Sequence, residues 1–233
     1  TIRELTQKLD SISLHGYTSA QGDLETRKAI SDYLNNTYET HFNPDNFYMT
    51  MGAAASLSIA FKALTTCGED EIIAVAPFFP EYRVFVEAAG AKFGVVAPDT
   101  EHFQIDFGKL ENMLNKNTKA VIINSPNNPS GAVYSEQTIV KLSELLKKKS
   151  EEFETHIFII TDEPYREIVY DGVTVPYVTK YYDDTIVCYS YSKSLSLPGE
   201  RIGFILVPDE AYESKKIYAA VCGAGRALGY VCA

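Results

Sequence analysis

Short apolar runs alternate with amphipathic stretches along nearly the whole chain. Residues 24–38 have helical spacing, with Leu24, Ile30, Tyr33, Leu34 and Tyr38 near one face. Phe47-Tyr48-Met49-Thr50 predicts a short strand, and 53–66 a helix of strong formers. A turn at Cys67-Gly68-Glu69-Asp70 leads into a strand over 71–76. A helix over 80–89 has proline in its first turn, and a strand over 92–97 follows. Residues 107–114 read as helix and 120–124 as an apolar strand. Ser135 starts a helix that runs to about Phe153, with Lys147-Lys148-Lys149 on a solvated face. Strands are expected over 156–161, 185–189 and 201–207, and a last helix from Asp209.

Continuous apolar strands separated by helices need cover on both faces of their sheet. The expected fold is therefore α/β, a three-layer αβα sandwich with a mostly parallel mixed sheet. The 233 residues suffice for one large domain with its own core. Gly223-Ala224-Gly225 and Gly229 follow no strand and lack the spacing of a dinucleotide loop.

Composition narrows the function. A net charge of −10 speaks against a nucleic-acid surface, which needs clustered Lys and Arg. No apolar run approaches a membrane span, and no charged-then-apolar leader is visible. Cys67, Cys188, Cys222 and Cys232 are widely spaced and form no CxxC, which predicts buried, reduced thiols in a cytoplasmic protein. Thr1 opens directly into an amphipathic segment and the chain stops on the apolar run 229–233, so a longer protein is expected.

The chemistry lies in four elements. Lys193 sits in Ser190-Tyr191-Ser192-Lys193, with Arg201 downstream. Asn128-Pro129-Ser130-Gly131 and Asp162-Glu163-Pro164-Tyr165 lie upstream. An amine, a carboxylate, a phenol, an amide and a guanidinium can together hold an aldehyde cofactor with a phosphate at one end and a pyridine nitrogen at the other. That cofactor is pyridoxal 5'-phosphate (PLP). The lysine would bond the aldehyde as a Schiff base, and the aspartate would keep the ring nitrogen protonated. Asn128, Asp162 and Lys193 each follow the end of an expected strand, where open α/β sheets bind ligands.

The pattern resembles the fold-type I PLP enzymes, and within them the class I/II aminotransferases of the aspartate aminotransferase type. The resemblance runs from Tyr17-Thr18-Ser19-Ala20-Gln21-Gly22 with Arg27, through Thr50-Met51-Gly52-Ala53-Ala54-Ala55 and Pro77-Phe78-Phe79-Pro80-Glu81-Tyr82, to the motifs above. It implies that Lys193 carries the Schiff base and is the general base and acid, and that Asp162 partners the pyridinium. Asn128 and Tyr165 would bond the cofactor 3'-oxygen, and Phe79 would stack on the ring. Backbone N–H groups of Ala53 and Ala54, with Ser190, Ser192 and Arg201, would bind the phosphate. Tyr17 would reach the phosphate of another subunit, which implies a homodimer.

By the same resemblance, residues 1–233 are the PLP-binding large domain, without the family's N-terminal segment and small C-terminal domain. The arginine that grips the substrate carboxylate is expected outside this chain, since Arg226 has the wrong context, and the fragment is expected to be inactive alone. The implied activity moves an amino group between an amino acid and a 2-oxo acid. Alternatives are another fold-type I chemistry (a C–S β-lyase, a cyclopropane-forming synthase or a decarboxylase) and a regulator domain that only senses PLP.

Overall fold

The computed structural model describes residues 16–229 together with Glu4 and Gln7. The expected amphipathic segment at the start of the chain, the apolar run at its end and Cys232 therefore lie essentially outside the described residues. The elements follow the expected alternation. Helix α1 (Leu24–Tyr38) precedes β1 (Phe47–Thr50), α2 (Ala53–Leu64), β2 (Glu71–Val75), α3 (Glu81–Ala89) and β3 (Lys92–Val96). Then come α4 (Phe107–Met113), β4 (Thr118–Asn124), α5 (Glu136–Phe153), β5 (Phe158–Asp162) and β6 (Thr185–Ser190). A four-residue helix α6 (Tyr191–Ser194), β7 (Gly203–Leu206) and α7 (Ser214–Ala227) complete the described chain.

Among the described residues the strands form one seven-stranded sheet in the order β1-β7-β6-β5-β4-β2-β3. The pairs β2–β3, β2–β4, β4–β5 and β5–β6 are parallel, and β7 runs antiparallel to both β6 and β1. Strand side chains alternate between faces, and the core divides accordingly. Ile72, Ala74, Ala120, Ile122, Ile186 and Cys188 share one cluster with Leu57, Tyr82, Val86 and Val221 from α2, α3 and α7. The intervening Ile73, Val75, Val121 and Ile123 pack with Leu110 of α4 and with Ile139 and Leu142 of α5. Val187, Tyr189, Phe204 and Leu206 pack with Ile30 and Leu34 of α1. Helices thus cover both faces, as a three-layer αβα sandwich requires.

Four local expectations are corrected. On α1 the buried positions are Arg27, Ile30, Ser31 and Leu34, whereas Leu24 and Tyr33 are exposed. Arg27 can be buried because its guanidinium donates to the Pro44 carbonyl and pairs with Asp45. The last helix begins at Ser214 and not at Asp209, because the Ala211 and Ser214 N–H groups close turns onto the carbonyls of Pro208 and Ala211. Of the cysteines, Cys188 is buried but Cys67 is exposed. In the lysine run, Lys149 is largely buried, bridging Glu111 and Glu152, while Lys148 stays in solvent. Among the described residues no helix is long and apolar enough to cross a membrane.

Candidate active site

Strand register brings the chemical groups to the edge formed by the carboxyl ends of the central strands. Asn124 and Asp162 are paired at the ends of β4 and β5, and Asp162 is paired in turn with Cys188 of β6. Every site residue expected from sequence except Tyr17 lines a single cleft of about 260 Å³ at this edge. Leu57, Pro164 and Pro198 complete the wall. Tyr17 is 98% exposed in the single chain and does not line the cleft.

Asp162 reaches the cleft from a buried position. Its Oδ2 accepts a hydrogen bond from the Tyr82 phenol, and its Oδ1 is buried without a partner. Burial pushes its carboxyl up to about 7, against the pull of the Tyr82 hydrogen bond and with a further push from the Glu163 charge. A carboxylate in this state is poised to take a cationic N–H donor, which would satisfy the bare oxygen and compensate the buried charge. Asn124, buried beside it, donates to the Asp162 carbonyl at 2.8 Å and accepts from the Asn128 N–H at 2.6 Å. This one amide therefore fixes the loop of Asn128 relative to the end of β5.

The opposite end of the cleft is built for an anion. Helix α2 starts there, and its N-cap, Gly52, has φ +86°. A Cβ at Gly52 would lie 2.7 Å from Arg201 Nη2, so only glycine lets the guanidinium lie against the helix start. Arg201 Nη2 donates to the Met51 carbonyl at 3.2 Å and Nη1 to the Pro198 carbonyl at 3.1 Å. The Ser190 and Ser192 hydroxyls stand 2.7 Å apart beside it. Lys193 lines the same cleft, its Nζ 5.9 Å from the centre of the Tyr165 ring. Burial, with the charge of Asp162, pushes the Tyr165 phenol up, so it remains a donor.

Sequence reading missed three supporting groups. Tyr82 stands in the first turn of α3, three residues after Phe79, which precedes the helix, and its partner on β5 becomes visible only in the fold. Asn124 lies within an apolar strand. The pair of Glu163 and Arg166 is fully buried behind the site at 2.6 Å, with Arg166 also donating to the Val175 and Pro176 carbonyls.

The sheet order and the cleft at its edge define the α/β large-domain type of the aminotransferases. The family model for aminotransferase class I and II matches residues 1–224, and the chain belongs to that family. It is similar to an amino transferase from Eubacterium rectale, with 71% identity and a TM-score of 0.98 over 100% of this chain and 58% of the other. The aspartate aminotransferase of Thermotoga maritima is 33% identical over 88% of this chain and 52% of its own length. A Bacillus subtilis protein named as a probable N-acetyl-LL-diaminopimelate aminotransferase is 30% identical over 90% and 52%. The chain thus spans about half the length of the curated relatives it matches. Aspartate-type members of the family use pyridoxal phosphate. The residues present fit that group: an amine for its aldehyde, a buried carboxylate oxygen without a partner for its ring N–H, and a helix start with an arginine and two serines for its phosphate.

Proposed function

We propose that residues 1–233 are the PLP-binding unit of an aminotransferase, and that the whole protein moves an amino group between an amino acid and a 2-oxo acid. The observation that carries this reading is the buried Asp162 Oδ1, bare of partners, in the same cleft as the Lys193 amine. When bound, pyridoxal phosphate supplies an electron sink for the bond broken at the substrate carbon. Lys193 would hold the aldehyde carbon through its amine and, once a substrate amine had displaced it, would move the proton between the reacting carbons as a free amine. Asp162 Oδ1 accepts the ring N–H and holds its proton in place. Asn128 and Tyr165 orient the ring through its oxygen, and Phe79 covers one face and excludes water. Arg201, Ser190, Ser192 and the N–H groups of Ala53 and Ala54 bind the phosphate dianion.

The reading extends to a homodimer in which Tyr17 crosses to a neighbour's cleft, in line with its exposure and its absence from the lining of its own cleft. Free thiols at Cys67, Cys188 and Cys222 support a reducing, cytoplasmic setting. The names of the relatives differ in substrate, aspartate for one and N-acetyl-LL-diaminopimelate for another, so the donor is taken as an amino acid without further choice.

Reduction with borohydride in the presence of PLP, followed by peptide mapping, tests the site. The label is expected on Lys193 and is lost in Lys193→Ala. A label confined to other lysines overturns the assignment. Amino-group exchange between an amino acid panel and 2-oxoglutarate, read against release of pyruvate and ammonia, tests the reaction.

A further inference from the structure

Lys193 rides on α6, a helix of four residues. So short a helix has almost no stability of its own, because nucleation consumes most of what its few hydrogen bonds return. Something outside it must fix the direction of the amine. On the cleft side, Ser190, Ser192 and Arg201 are engaged with one another and with the anion end. On the far side, outside the cleft, three polar groups form a chain. The Tyr189 phenol contacts Glu167 Oε2 at 2.9 Å and Ser194 Oγ at 2.8 Å. A carboxylate can only accept, so Tyr189 donates to Glu167 and the Ser194 hydroxyl donates to the Tyr189 oxygen. Burial pushes the Tyr189 phenol well up, so it keeps its proton and its polarity in this relay.

We propose that Tyr189 is a positioning residue for Lys193: its phenol latches Ser194, the residue next to the reactive lysine, to Glu167 on the loop that carries Tyr165. None of the three lines the cleft, so the latch acts on PLP through the helix and not by contact. The Tyr189 ring is held independently, stacked on Phe204 at 5.0 Å and edge-on to Tyr191 at 5.0 Å. The ring therefore stays packed when the hydroxyl is removed, which separates the latch from the core. The inference rests on the proposed function only in taking Lys193 as the group that bonds the aldehyde.

The test uses Tyr189→Phe, Ser194→Ala and the double variant, with PLP as the probe. Reductive labelling of Lys193 is followed as PLP is raised, with Lys147 as a surface control. Amide exchange at 191–196 is measured separately without PLP, along with the melting temperature. Each single variant is expected to need about 2- to 10-fold more PLP for half-labelling, the factor of one net hydrogen bond. The double variant should be no worse than Tyr189→Phe, since that change already removes the oxygen to which Ser194 donates. Exchange should quicken at the Leu195 and Ser196 N–H groups, which bond to Tyr191 and Lys193, and little elsewhere. Labelling and local exchange like wild type, multiplying effects of the two changes, or a general loss of protection and melting temperature would each overturn the latch. An unlabelled Lys193 in the wild type overturns the functional reading instead, and the exchange data then decide the latch alone.

Discussion

The Tyr82 phenol donates to Oδ2 of Asp162 and leaves Oδ1 of the same carboxylate buried and bare. One oxygen is thereby fixed and the other offered to the cleft. Tyr82 is itself buried, and burial together with the Asp162 charge pushes its phenol far above the ordinary range, so it is a permanent donor. In Tyr82→Phe, Asp162 loses the hydrogen bond that pulls its carboxyl down, and its carboxyl is pushed up further. PLP is expected to bind about tenfold or more weakly, by the typical worth of a hydrogen bond to a charged group. The pH at which binding becomes tight should also move up. Fluorescence titration with PLP across neutral pH reads both effects, and an unchanged pH profile would remove Tyr82 from this role.

Asp162→Asn should have opposite effects on the bare and loaded protein. The folded value of Asp162, about 7, lies above the ordinary 3.8. Folding therefore favours the neutral carboxyl, a contribution complete below pH 3.8 and lost as pH rises through about 7. The cofactor-free wild type should lose stability across that window, by on the order of 4 kcal/mol from this group. Asparagine carries no such dependence. At about pH 8 the cofactor-free variant should be the more stable protein, yet gain little from added PLP. Denaturant melts at acid and alkaline pH, with and without PLP, check both halves.

Gly52→Ala tests the anion end. At φ +86° a side chain costs about 1–3 kcal/mol in backbone strain. The added methyl must also push Arg201 away from the start of α2. The variant should melt at lower temperature and lose affinity for PLP by about tenfold, with little change for pyridoxal, which has no phosphate. Equal losses for both ligands would show that the damage is not at the phosphate seat.

Arg166→Met would strand a charge behind the site. The side chains of Glu163 and Arg166 are 1% and 3% exposed, and the Glu163 charge already raises Asp162. Breaking such a pair from one side costs about 3–5 kcal/mol. Adding Glu163→Gln should recover a good part of that, since the amide can still accept from Thr161 and leaves no bare charge. Urea unfolding of the single and double variants measures it, and a double variant as unstable as the single would show that Arg166 matters through its carbonyl contacts instead.

The parts of the site that were legible in the sequence are those whose chemistry and position coincide. Asp162 closes an apolar strand and Lys193 follows one by three residues, so strand ends and residue types identified the same positions. Tyr82 and Asn124 were not legible in this way, because their partners come from packing of α3 on the sheet and from register between β4 and β5, elements far apart in sequence. The face of α1 was misjudged for a related reason: periodicity counts apolar residues, while Arg27 is buried by acceptors at Pro44 and Asp45. Asp209 resembles a helix start, but its carboxylate bonds the side chain of Asn43 across the fold, and turns delay the helix to Ser214. Boundaries set by local capping, as at Ser135, were found without such help.

The reversed strand β7 has a consequence for how this site can change. Because β7 runs against β6, with Ser190 opposite Gly203, the chain leaves and re-enters the sheet at the same edge. A parallel successor would have to cross back to the opposite ends of the strands before re-entering the sheet. Here a single hairpin carries both the amine of Lys193 and the guanidinium of Arg201. Their separation is thus a matter of loop length, and a residue inserted among 194–200 would shift Arg201 relative to the Lys193 amine while leaving Ala53, Ala54, Asp162, Asn128 and Phe79 where they stand.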